Sequence, residues 1–417
     1  MAGSGVLTSR RTVLALAAAS FTGLALVGSG LPVAASTAMP THQGPQSPAV
    51  ASSWPQFRYG PARNGVNPAE HTINSSNVGS LTQKWSFHTG GPVRSSPAVV
   101  GGVVFIGSND GKVYALNAAT GALVWSRHVG TTIRSSPAVV AGTLYVGSSN
   151  HLLYALNAAS GAVRWTGSTG GPITSSPAVS GALVYIGSQD GSVYAFPAAG
   201  CGHSTCTARW ARPTGGAVES SPAVWHGSVY IGSDNGNIDA FNATTGTPQW
   251  STTPPAVGTT VKSTPLLIGG GLYIGACCGP DLYKLNASTG AIEWSAFIDA
   301  ILGSGNIGYG SPGVVGSKVF IGGYTGFGYF ESANGRHIAT YEGFGEYFSS
   351  PAIANGLAFI TNDSPGSGVT MQAYGTGTVE GNHAFGSLNV ASLSSPAIVN
   401  GRVFAGADDG NVYAFGL

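Results

Sequence analysis

The chain has 417 residues, of which 65 are Gly and 24 Pro, and only 8% are charged, so turns are abundant and the charge pairs that support long surface helices are scarce. Its formal charge is +1, and setting aside Arg10 and Arg11 as part of a leader leaves 15 basic against 16 acidic residues. Bulk charge thus implies no polyanion-binding surface, and no nucleic-acid partner is expected.

In chain order, Ser9-Arg10-Arg11-Thr12-Val13-Leu14, an Ala/Leu/Gly-rich stretch and Val33-Ala34-Ala35 read as an export signal over residues 1–35, cleaved after Ala35. The paired arginines resemble the twin-arginine motif, although Val13 stands where that motif prefers Phe, and the general secretory route stays open. The apolar stretch is close to spanning length, which leaves an uncleaved anchor as the alternative. With cleavage there is no stable membrane anchor, and no cysteine near the site offers a lipid attachment. The expected location is secreted or in the cell envelope. Residues 36–53, rich in Pro, Ser and Ala with no hydrophobic period, read as a flexible linker, and order is expected from Trp54 onward.

From there a hydroxyl residue meets a proline eight times: Ser96-Pro97, Ser136-Pro137, Ser176-Pro177, Ser221-Pro222, Thr264-Pro265, Ser311-Pro312, Ser350-Pro351 and Ser395-Pro396. The proline steps are 40, 40, 45, 43, 47, 39 and 45 residues, a period that suits four short strands. Within one repeat, Pro97 to Val100, Val103 to Gly107, Lys112 to Leu116 and Ala122 to Trp125 are apolar runs separated by Gly-Gly, Ser-Asn-Asp-Gly and Asn-Ala-Ala-Thr-Gly turns. The second run does not alternate, as expected of a small sheet covered on both faces, and radial packing of such sheets satisfies this. Proline suits the first position of the first strand, where a missing N–H is least costly. Gly107, Gly147, Gly187, Gly232 and Gly275 end the second strand, where a side chain would crowd the next repeat. The last repeat, Ser394 to Phe415, supplies three strands and stops, while Leu81 to Phe87 is an orphan near the front. Together they make an eighth unit. The expected fold is therefore all-β: a single eight-bladed β-propeller of four-stranded blades over residues 54–417, closed by the N-terminal strand.

The segments Ala115-Leu-Asn-Ala-Ala-Thr-Gly-Ala-Leu-Val-Trp125, Ala155 to Trp165, Ala240 to Trp250 and Lys284 to Trp294 resemble the tryptophan-docking motif of the pyrroloquinoline quinone (PQQ)-type propeller repeat. The resemblance implies that the Trp lies across the neighbouring blade. Asn117, Asn157, Asn242 and Asn286 stand where the family has Asp, a change that preserves the turn bond.

In a propeller the column three residues before each proline faces the axis; here it reads Arg94, Arg134, Thr174, Glu219, Lys262, Tyr309, Phe348 and Leu393. Arg94, Arg134 and Lys262 can converge on an anion opposite Tyr309 and Phe348, or act as rim residues pairing with Glu219. Longer connections at Phe297 to Gly308, Glu342 to Tyr347 and Phe385 to Ala391 are expected on the same face. Cys201 and Cys206 are expected to form a local disulfide, and adjacent Cys277 and Cys278 a second, out of three possible connectivities. Asp110, Asp190, Asp234, Asp408 and Asp409 read as turn formers.

No haem, zinc or nucleophile-elbow motif is present in the sequence, so no catalytic residue is assigned. The leading expectation is an exported, non-catalytic propeller that binds a small anionic ligand or a cell-envelope protein on its axial loop face, with no cofactor. The alternative implied by the resemblance is a PQQ-dependent dehydrogenase of alcohols or sugars, with PQQ and calcium as cofactors. For that chemistry Glu219, Asp299, Asn306 and Glu346 are the near-axis candidates.

Overall fold

Each Ser/Thr-Pro step opens an antiparallel sheet, because the proline cannot donate to a ladder and forces its predecessor into an extended conformation. The computed structural model of the chain describes residues 53–255, 259–277, 282–297, 310–322, 326–342, 349–361, 371–375, 382–385 and 392–417. The expected leader, and the linker up to residue 52, lie outside the described residues. The first sheet runs Ala98–Val100, Val103–Gly107, Lys112–Asn117, Leu123–His128 in that spatial order. Seven more sheets open on Ala138–Val140, Ala178–Ser180, Ala223–Trp225, Leu266–Ile268, Gly313–Val315, Ala352–Ala354 and Ala397–Val399. In the last, the fourth position is taken by Thr82–His88 from the front of the chain, antiparallel to Asn411–Gly416 with Phe87 opposite Val412. The second sheet alone gains a fifth strand, Thr205–Cys206, parallel to Val163–Ser168.

Small side chains let neighbouring sheets approach closely. A methyl group on Gly107 would lie 2.3 Å from Ile133 of the next repeat, and one on Gly147 would lie 2.1 Å from Ile173. Further out, the indole of Trp85 donates to the carbonyl of Ala118 and Trp125 to that of Ala158, each reaching into the next sheet's hairpin. There Gly121, at φ +74°, presents a bare Cα to the Trp85 ring. Asn117 Oδ1 holds that hairpin by accepting from the N–H groups of Ala119 and Thr120.

The hydroxyls before the prolines join the sheets. The N–H of Ser96 donates to Ser136 Oγ, Ser136 to Ser176, Ser176 to Ser221, Ser221 to Thr264 and Thr264 to Ser311, and the series resumes from Ser350 to Ser395 and from Ser395 back to Ser96, at 2.8–3.3 Å. The preceding serine acts within its own sheet: Ser95 Oγ accepts from Gly107 N–H and Ser135 Oγ from Gly147 N–H.

The three-residue innermost strands still expose a free edge toward the centre, and the segment from Trp54 to Asn67 covers it. Trp54 exchanges two backbone bonds with Val99, Pro55 accepts from Val139, and the Gln56 amide reads both backbone groups of Val179. Pro61 then accepts from Val224, Ala62 from Leu267 and Gly65 from Ile353, while Asn67 Nδ2 donates to Ile398. Arg58 reaches Pro312, beside the sixth innermost strand. One segment thus touches all eight sheets. Sequence reading placed order from Trp54 but did not find this plug. Its winding requires positive φ at Arg58, Tyr59, Arg63 and Gly65.

Arg58 and Arg63 are almost fully buried, at 2% and 0% exposure, and have no carboxylate partner among the described residues. Burial pushes both guanidinium groups down to about 9, with the neighbouring Arg63 charge adding to the effect on Arg58, so both stay protonated at neutral pH. Arg63 donates to four carbonyls, those of Phe57, Ser176, Pro177 and Pro222, at 2.6–3.0 Å. Arg63→Ala is therefore expected to destabilise the protein by more than about 3 kcal/mol in chemical denaturation, because four buried acceptors lose a charged donor. Arg63→Lys should not restore it, lacking the planar fork. A loss below about 1 kcal/mol for the alanine variant would contradict this role.

Candidate axial pocket

A cavity of about 420 Å³ opens at the centre of the sheets, lined by all eight Ser/Thr hydroxyl residues of the proline steps and floored by Phe57 of the plug. Around its mouth stand Arg94, Arg134, Thr174, Glu219, Lys262 and Leu393, six of the eight residues of the column read from the sequence. Tyr309 and Phe348 lie outside the described residues, as do Asp299, Asn306, Glu346 and most of the three long connections.

The cations differ in their pairing. Arg94 makes a two-pronged contact with Asp408, Nε to Oδ1 and Nη2 to Oδ2, both at 2.9 Å. Lys262 Nζ lies 3.2 Å from Glu219 and 3.7 Å from Asp234. Arg134 is exposed and, among the described residues, makes no ion pair and no side-chain hydrogen bond.

Asp234 and Asp408 correct the reading of the turn aspartates. Asp110, Asp190 and Asp409 do hold their hairpins, accepting from the N–H groups of Lys112, Ser192 and Asn411. Asp234 and Asp408, one position earlier in the same turn, instead face the mouth and pair with the cation of the following repeat. This second column, two residues past the strand-ending glycine, comprises Asn109, Ser149, Gln189, Asp234, Cys277 and Asp408 among the described repeats. Fixed spacing from that glycine was the signal that could have revealed it. In the first repeat it holds Asn109 where an acid would be needed for Arg134. Asn109 Oδ1 is buried without a hydrogen-bond partner, and so is Thr174 Oγ1.

The electrostatics follow from this inventory. The pocket lining carries three cations and one carboxylate, Glu219, with Asp408 and Asp234 paired to Arg94 and Lys262 behind it, while Arg58 and Arg63 lie near Phe57, the Arg63 guanidinium 5.6 Å from its ring centre. Among the described residues, these two buried positive charges have no carboxylate partner in a low-dielectric centre. Burial raises the Asp234 carboxyl, Glu219 raises it further, and Lys262 opposes both.

Cys201 and Cys206 form the expected local disulfide, with Cα atoms 5.7 Å apart, on the loop that carries the extra strand of the second sheet. Cys277 is disulfide-bonded and accepts from Thr260 Oγ1; Cys278 lies outside the described residues. No helix among the described residues is long and apolar enough to cross a membrane.

A family model described as outer membrane protein assembly factor BamB matches residues 109–202 and 199–379, and one described as the β-propeller domain of glucose/ethanol/alcohol dehydrogenase matches residues 54–134. Among solved structures, BamB from Moraxella catarrhalis is 19% identical, covering 81% of this chain and 98% of its own, with a TM-score of 0.64. Quinohemoprotein alcohol dehydrogenase from Comamonas testosteroni is 16% identical over 88% of this chain and 80% of its own, with a TM-score of 0.71. A europium-containing methanol dehydrogenase is 15% identical over 88% and 98%, with a TM-score of 0.69. At such identities these likenesses concern the fold alone. No curated protein sequence matches significantly.

Replacing Lys262 by Met should move the Asp234 carboxyl further up, since the one influence holding it down is removed. A carboxyl-resolved NMR titration checks this. An unchanged Asp234 titration would contradict the pairing across adjacent repeats.

Proposed function

Because the chain belongs to the PQQ-like β-propeller repeat family, we propose that its sheets are the eight blades of one propeller, closed by Thr82–His88, that is exported and non-catalytic. It binds an anionic group, carried by a small ligand or by an acidic segment of a cell-envelope protein, in the axial pocket. The observation that carries this reading is Arg134, a guanidinium at the mouth that is unpaired among the described residues, above two buried cations that have no carboxylate partner among them. An anion seated there meets a charge-assisted donor and can accept from Thr174 Oγ1–H, while Asn109 Oδ1, itself an acceptor, gains a partner only from a hydroxyl or N–H of the ligand. Arg94, Glu219 and Lys262 frame the site through their fixed ion pairs and act less directly. The disulfides suit an oxidising compartment, which agrees with export.

The second reading, a PQQ-dependent dehydrogenase, is favoured by one observation: the pocket's size and charge suit a carboxylate-bearing quinone. The donor set does not fit the calcium such an enzyme would hold. Glu219 and Asp234 engage Lys262, and Asp408 engages Arg94; although Asp234 Oδ1 is buried without a hydrogen-bond partner, the described residues gather no group of three acidic or other metal-ligating side chains for a hard cation. No catalytic step is derived through that group.

Charge reversal at Arg134 separates these outcomes. Arg134→Glu should weaken calorimetric binding of citrate at least tenfold and abolish capture of the native envelope partner, with the melting temperature unchanged. Undiminished binding by the variant would remove the assignment. In parallel, purified protein given PQQ and calcium should reduce no dye with a panel of alcohols and sugars; stoichiometric cofactor retention with turnover would establish the dehydrogenase instead.

A further inference from the structure

Six tryptophans occupy the same place at the outer edge of their sheets, and five bury the indole N–H against a carbonyl of the next hairpin. Trp85 donates to Ala118, Trp125 to Ala158, Trp210 to Ala243, Trp250 to Ala287 and Trp294 to Ser332, all at 2.9–3.1 Å. Trp165 is the exception. It is 3% exposed, and its Nε1 is buried with no hydrogen-bond partner among the described residues.

The cause is local. The hairpin facing Trp165 is Pro197-Ala-Ala-Gly200, one residue shorter than Asn117-Ala-Ala-Thr-Gly121, and the inserted loop follows it directly. The Ala198 carbonyl, equivalent to Ala118 and Ala158, accepts the Tyr145 hydroxyl at 2.7 Å, but this alone does not displace the indole, since the Ala243 and Ser332 carbonyls each accept a tyrosine hydroxyl and the docked indole together. The indole is also turned: a methyl group on Gly200 would meet Cδ1 and Nε1 of Trp165, whereas at Gly121, Gly161, Gly246 and Gly290 it would meet the benzene side of the ring. The N–H edge therefore lies against Gly200, where the inserted loop begins, rather than against the Ala198 carbonyl.

Beside it lies a cavity of about 390 Å³, lined by Arg164, Trp165, His203 and the start of the stapled loop. Its outer wall is held by the Cys201–Cys206 disulfide and by the parallel pairing of Thr205 and Cys206 with Thr166 and Gly167. Arg164 is positioned by a 2.8 Å bond from Nη1 to Thr143 Oγ1, and its other nitrogens make no hydrogen bond among the described residues. A donor left unsatisfied in a core is destabilising, and an acceptor entering from solution removes that cost. The space is many times the roughly 30 Å³ that one water occupies in the liquid.

We infer that this cavity is a second binding site, for a small polar carboxylate that accepts from Trp165 Nε1–H and Arg164 together. It is separate from the axial pocket and does not depend on the axial reading. The arrangement offers two donors, one buried and neutral and one charged, to the two oxygens of a single carboxylate, with His203 beside them.

The test observes indole N–H resonances of the full chain, the Trp165 signal being assigned by its loss in Trp165→Phe. Titration with acetate and succinate should shift that signal saturably, and acetamide, a neutral acceptor of similar size, should leave it in place. Arg164→Gln, a change at an exposed position, should weaken the carboxylate effect at least tenfold. The paired Cys201→Ser, Cys206→Ser variant, which frees the outer wall, should weaken it as well. A Trp165 signal unmoved by either carboxylate would overturn the proposal. Equal response to acetamide, or undiminished binding in Arg164→Gln or in the cysteine variant, would do the same.

Discussion

The hydrogen bond from one innermost strand to the hydroxyl of the next is the interaction on which the remaining architecture depends. A three-residue strand at the centre of a small sheet has one edge in its ladder and one edge bare, and bare backbone in a core is costly. Among the described residues, the serine or threonine before the proline accepts an N–H from the preceding repeat at every step but Ser350, while the serine before it accepts an N–H from its own second strand everywhere except the sixth repeat, which has Gly310 there. Two adjacent hydroxyls thus tie most sheets both to themselves and to a neighbour. The proline keeps the pair extended and withholds a donor that would have no partner. What the hydroxyls leave open, two residues past the proline, the Trp54 to Asn67 segment completes.

That division of labour explains why the centre is a blind pocket. The plug satisfies backbone below and places Phe57 as a floor, while the eight hydroxyl residues form the wall. It also brings Arg58 and Arg63 into the core, where Arg63 serves as a four-way donor to carbonyls that no strand can reach. The structural need for those donors and the positive potential of the pocket are one feature. A plug satisfied by neutral amides alone would leave the mouth, with its matched ion pairs, close to neutral.

Much of this scaffold was legible in the sequence because it repeats. Ser-Pro, the strand-ending glycine and the docking tryptophan recur at fixed spacing, so their roles could be read together, and the six described residues of the axial column were found by counting back from proline. What does not repeat was not legible. The plug occurs once, in a stretch without hydrophobic period, and its bonds span up to 331 residues, as from Asn67 to Ile398. Asp234 and Asp408 looked like turn formers because their neighbours in the same turns are; only the approach of the following repeat separates the two roles. Trp165 matches its fellows in every local respect, and its orphaned N–H arises from a hairpin one residue shorter in the adjacent sheet.

The central claim is that the axial mouth holds an anion at Arg134 because its other cations are already matched. Anomalous diffraction from crystals soaked in bromide addresses it without any assumption about the natural ligand. The account predicts a bromide peak within hydrogen-bonding reach of the Arg134 guanidinium, on the side of Thr174. Bromide sites elsewhere on the surface, with none at that position, would contradict it.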